Sequence, residues 1–174
     1  LFKDAGASMT FLNISGNMFE TLPSAISDAV KLKKLIAYNN VLTSIADVDF
    51  SKMADLTEIN FMKNYIAEIK DGTFAKNSHL LSVDLHDNQL TNLSGSVFAG
   101  TFENSRGDGK LQKLDITLNN IRVVDPALMK KCDTSINKFY PQKTALSLTL
   151  KKDSDTQISW SQDLSMLDLV FWFD

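Results

Sequence analysis

Apolar residues return along this chain at fixed long intervals, not with the period of one helix or one extended strand. Five segments align with one another: Met9–Leu22, Leu32–Ile45, Leu56–Ile69, Leu80–Leu93 and Leu111–Val124. In each, apolar residues hold places one, four, six, eleven and fourteen. An asparagine stands at place nine, giving Asn17, Asn40, Asn64, Asn88 and Asn119. Successive units begin 23, 24, 24 and 31 residues apart. Self-similarity at such a period is the mark of a solenoid, in which each unit buries its apolar face only against its neighbours.

The frame predicts local structure. Around places four to six the residues alternate between inward and outward positions, which is the period of a strand. So short a strand cannot stand alone and must pair in parallel with the strand of the next unit. The asparagine at place nine is expected to point inward where the chain leaves the strand. There its amide satisfies backbone groups that the bend leaves unpaired. Phe50, Phe74 and Phe98 recur 24 residues apart on the return path, with Met129 in the matching place of the fifth unit. They predict a continuous aromatic spine through the core. The expected fold is an α/β-type solenoid over residues 1–140, with short parallel strands on a concave face and loops or short helices on the convex face.

Both ends depart from the frame. Phe2 stands seven residues before Met9, much as Phe74 stands six before Leu80. It reads as the spine residue of an earlier unit, so the chain is expected to be a piece of a longer array. A sixth unit is read from Ile136, with Phe139 at its fourth place and Pro141 at its sixth, as the array closes down. Beyond Tyr140-Pro-Gln142 the pattern changes to alternation at Leu146, Leu148 and Leu150, a polar turn over 151–156, and strand signals at Ile158–Trp160 and Leu167–Phe173. Residues 141–174 are expected to start an all-β sandwich module, incomplete because a sandwich needs about seven strands.

Composition narrows the function more than the fold. The 174 residues carry 18 Lys and Arg against 21 Asp and Glu, a net charge of −3, which excludes a basic nucleic-acid binder. No apolar run reaches the roughly 18 residues of a membrane helix, so this segment is not expected to insert into a bilayer. Cys132 is the single cysteine and excludes an internal disulfide. No catalytic signature or Gly-rich phosphate loop is present, and neither an enzyme, a cofactor nor a metal is expected.

The five-fold frame with its in-register asparagines resembles the leucine-rich repeat family, over roughly Met9 to Val124. Tyr140-Pro-Gln142 and the closing Phe171-Trp-Phe-Asp174 extend the resemblance to secreted Bacteroidetes surface proteins, in which such an array runs into an immunoglobulin-like module. The resemblance implies a non-catalytic scaffold that binds a protein or peptide, a host surface protein among the candidates, at the outside of a bacterial cell. The alternatives are the ectodomain or signalling scaffold of a eukaryotic receptor, a cytoplasmic location, or a fragment of a larger protein with an enzymatic domain elsewhere.

If the strands line a concave sheet, places two, three, five, seven and eight face water. The candidate binding residues there are Ile36, Tyr38, Asn60, Met62, Asp84, His86 and Thr117. Ile36, Tyr38 and Met62 form an apolar patch on a face that water reaches, which marks a partner site more often than a scattered residue does. Lys33 or Lys34 lying across the patch is the competing reading. Asp84, His86, Asp87 and His79 invite a metal reading, but they lack a fourth ligand and read better as a solvated polar face. The long fourth interval carries Arg106-Gly107-Asp108, an adhesion tripeptide by sequence and a Gly-rich surface turn by composition. Asn-x-Ser sequons stand at Asn13 and Asn92.

Overall fold

The computed structural model describes residues 6–102, 111–126, 128, 138–139, 142, 149–152 and 158–161. Five three-residue strands form one sheet: β1 (Phe11–Asn13), β2 (Lys34–Ile36), β3 (Glu58–Asn60), β4 (Ser82–Asp84) and β5 (Lys113–Asp115). They pair in chain order and in parallel, with Leu12, Leu35, Ile59, Val83 and Leu114 in one row. All five are the place-four residues of the frame. Each strand is flanked by outward places three and five, so the sheet has one apolar row facing the core and open rows facing away.

The return paths are 3-10 turns, not long helices: Ser24–Asp28, Phe50–Lys52 and Gly95–Phe98, the last running into a one-turn α-helix, α1 (Ala99–Phe102). Phe50 opens one of these turns and Phe98 closes another, while Phe74 sits in a plain turn of the third return path. Phe50 and Phe74 meet edge-on at 5.0 Å between ring centres, and Phe74 and Phe98 stack at 5.7 Å and 14°. All three are buried, with Phe61 of the sheet side edge-on to Phe50 at 6.4 Å. Met129, the expected fourth member, lies outside the described residues. Gly100 has no alternative, because a Cβ there would stand 1.7 Å from the Ala75 carbonyl oxygen. The fourth return path packs that closely on the third.

The asparagines at place nine stitch coil to coil. In the third coil, Asn64 Oδ1 accepts from Leu42 N at 3.1 Å, while Nδ2 donates to Ala37 O at 3.1 Å and Phe61 O at 2.9 Å. Ala37 and Leu42 belong to the coil before, Phe61 to its own. Asn40, Asn88 and Asn119 repeat the arrangement and are all buried. Asn17 does not. It is exposed, and its Nδ2 donates only within its own coil, to Ile14 O and Ser15 O. The inward role requires a preceding coil, and none is present among the described residues.

Two features differ from expectation for physical reasons. The sixth coil has a different register: Lys138 pairs with Asp115 as place five, which puts Phe139 at place six and residue 142 at place nine. Gln142 occupies it and does the asparagine's work. Its Oε1 accepts from Ile121 N at 3.2 Å, and its Nε2 donates to Ile116 O at 2.9 Å and to Phe139 O. The array therefore reaches Gln142, past the boundary expected at 140. Second, place eight is left-handed in each of the first five coils, at Gly16, Asn39, Lys63, Asp87 and Leu118, with φ between 53° and 68°. The chain turns off the sheet through this residue whatever its type.

Downstream, β6 (Thr149–Lys152) and β7 (Ile158–Ser161) form an antiparallel pair, with Leu150 opposite Trp160. Two strands do not make a sandwich, and the third expected strand, at 167–173, lies outside the described residues.

Candidate functional site

The open face of the sheet is built by place. At place five a side-chain oxygen accepts the backbone N–H two residues on. Asn13 serves Ser15, Asn60 serves Met62 and Asp84 serves His86, each at 3.0 Å, and Asp115 serves Thr117 at 3.1 Å. This recurring turn lock gives Asn60 and Asp84, read as binding candidates, a structural task for one oxygen each. The signal was in the sequence, as a column of Asn and Asp broken only by Ile36. In the second coil Ile36 replaces the lock with an apolar side chain on the open face.

Ile36 is half-buried, Tyr38 is 38% exposed and Met62 is half-buried. Place seven thus runs Ser15, Tyr38, Met62, His86, Thr117 across the coils. Neighbouring strands lie about 4.8 Å apart. Lys34 does not lie across this strip: its ammonium is 2.7 Å from the Glu58 carboxylate, along the place-three row. Phe11, at place three of the first coil, is 56% exposed and adds a further apolar group. The apolar candidates therefore stay on the open face of the first three coils.

The far half of the face is polar and self-paired. Thr117, expected to meet a partner, is buried, as is Asp115. Thr117 Oγ1 donates to Asp115 Oδ1 at 2.6 Å and lies 2.6 Å from His86 Nδ1. Asp115 is also 4.0 Å from His86 Nδ1 and 4.0 Å from Lys138 Nζ. The sixth coil, seated by Lys138 N to Leu114 O and Ile116 N to Lys138 O at 2.9 Å each, closes over this group. Burial of Thr117 follows from that coil, which sequence reading had placed in another register.

The remaining candidates are dispersed. His79 Nδ1 lies 3.1 Å from Ala54 O, an exposed contact of the return paths, so the His79–His86 grouping does not form. Among the described residues no three His, Cys, Asp or Glu side chains are arranged to hold a metal ion, and no helix is long and apolar enough to cross a membrane. An open groove of about 650 Å³ runs between the second and third return paths, lined by Asp47, Asp49, Glu68, Lys70 and Asp71 among others. There Ser51 donates its hydroxyl to Asp49 at 2.6 Å and holds that carboxyl below its ordinary range. Arg106, Gly107 and Asp108 lie outside the described residues, as does Cys132. Of the sequons, Asn92 is exposed, whereas Asn13 is committed to its turn lock.

A parallel sheet of one strand per coil, an asparagine ladder and a phenylalanine spine define the architecture, and residues 55–101 match the leucine-rich repeat family model. The fold is a leucine-rich repeat solenoid. A solved leucine-rich repeat protein of Leptospira interrogans superposes with a TM-score of 0.62 at 20% sequence identity, over 79% of this chain. The chain spans 33% of that protein's length, so the likeness speaks to the repeat fold alone. No curated protein matches this chain.

Proposed function

We propose that this leucine-rich repeat segment is a non-catalytic binding scaffold whose open sheet face takes an extended segment of a protein or peptide. The observation that carries the reading is the strip of Ile36, Tyr38 and Met62. These apolar groups lie on or two residues beyond the adjacent strands β2 and β3, in coils held by the asparagine ladder. A rigid face loses little entropy on binding, and a half-exposed tyrosine supplies contact area with few rotatable bonds. In the same proposal the protein works at the outside of a bacterial cell, supported by the sequence resemblance to exported bacterial arrays. Cleavage of the protein on intact cells by added protease is the check on that part, and protection until lysis would refute it.

The binding test uses the 174-residue chain and a phage-displayed library of random twelve-residue peptides, panned at pH 7.5. Selected peptides are expected to lose at least ten-fold in affinity against Tyr38→Ala, with the urea melt unmoved because Tyr38 is not a core residue. A library without binders, or binders indifferent to Tyr38→Ala, would overturn the reading.

A further inference from the structure

We infer that His86 is a second anchor on this face, an imidazole held with Nε2 as a hydrogen-bond acceptor for a donor group of the bound peptide. The inference rests on the binding reading above and adds the chemistry of the partner. Its basis is a count of protons. Thr117 Oγ1 has one proton and two short contacts, to Asp115 Oδ1 and to His86 Nδ1, each at 2.6 Å. A carboxylate can only accept, and Asp115 Oδ1 already accepts from Thr117 N. The hydroxyl proton therefore goes to Asp115, and the contact to His86 requires a proton on Nδ1. In the neutral ring that leaves Nε2 bare. Nε2 has no hydrogen bond among the described residues and is not one of the buried unpaired atoms, so solvent reaches it. An outer hydroxyl and carboxylate that fix a tautomer and aim the other nitrogen are how proteins prepare a histidine to meet a ligand.

The position supplies the partner's spacing. His86 continues the place-seven column one strand beyond Met62 and two beyond Tyr38, about 7 Å from a group seated between those two. An extended peptide covers that in two residues at about 3.3 Å each, and residues two apart share a face. The partner segment fitted by the column carries an apolar side chain over Tyr38 and Met62. Two residues on, it carries a donor such as a Ser or Thr hydroxyl, over His86.

Long-range ¹⁵N–¹H NMR of the chain at pH 7.5 is expected to show the Nδ1–H tautomer at His86, lost in Thr117→Val. An Nε2–H tautomer in the wild type would overturn the inference. Library peptides are then compared with Thr or Val two residues from the apolar anchor. The Thr peptide is expected to bind at least ten-fold more tightly at pH 7.5 and to lose that advantage against His86→Phe. If Tyr38→Ala ends binding while His86→Phe leaves the Thr peptide's advantage intact, the scaffold reading stands and this inference falls. A library without binders overturns both.

Discussion

Asn17 and Asn64 hold the same place in the same frame, yet one is exposed and bonded only to its own coil, while the other is buried and bonded across two. The rest of their coils differ in the same way. Leu12 is half-buried at place four of the first strand, where Ile59 of the third is fully buried. The frame is a set of instructions for meeting a neighbour, and stability resides in the interfaces between coils more than in the coils themselves. Mutations at equivalent places should therefore cost different amounts according to what stands before them in the stack.

The sharpest break comes from the interior spine. Phe74→Ala removes a ring packed between Phe50 and Phe98 and is expected to cost about 3–5 kcal/mol in a urea melt. A loss below about 1 kcal/mol would mean that the rings do not carry the stack. Gly100→Ala drives a methyl into the Ala75 carbonyl and is expected to cost about 2–3 kcal/mol, with the return paths of the third and fourth coils losing amide-exchange protection first. Unchanged protection there would refute the close approach. At the small end, Lys63→Gly relieves a left-handed backbone that Gly16 already serves in the first coil. It should stabilise by about 0.5–1 kcal/mol, whereas Gly16→Ala should cost a similar amount. Opposite signs at one place in two coils are the check, and matching signs would contradict the turn geometry.

The fold was legible because its rules are local and repeated. Leu35, Ile59 and Asn64 announce their roles by spacing alone. The exposure of Asn17 was not legible, since nothing in residues 9–22 says what lies before them. The sixth coil was misread because Thr134 and Asn137 stand where the frame asks for apolar residues, and because Gln142 replaces the diagnostic asparagine with a side chain one methylene longer. The left-handed turn at place eight was half legible: Gly16, Asn39 and Asp87 are types that favour it, whereas Lys63 and Leu118 are not. On the open face, Tyr38 and Met62 could be read from their column. Thr117 could not, because its burial depends on Lys138 in the misregistered coil.

The asparagine ladder joins each coil to the one before it. Asn64→Ala leaves Leu42 N buried without its partner and takes from Ala37 O and Phe61 O one of the two amide donors each has, and is expected to cost about 3 kcal/mol, while Asn17→Ala should cost under about 1 kcal/mol. The decisive measurement is the difference between the two variants in parallel urea melts: a gap of about 2 kcal/mol or more is predicted, and equal losses would contradict the claim that these side chains hold one coil to the next.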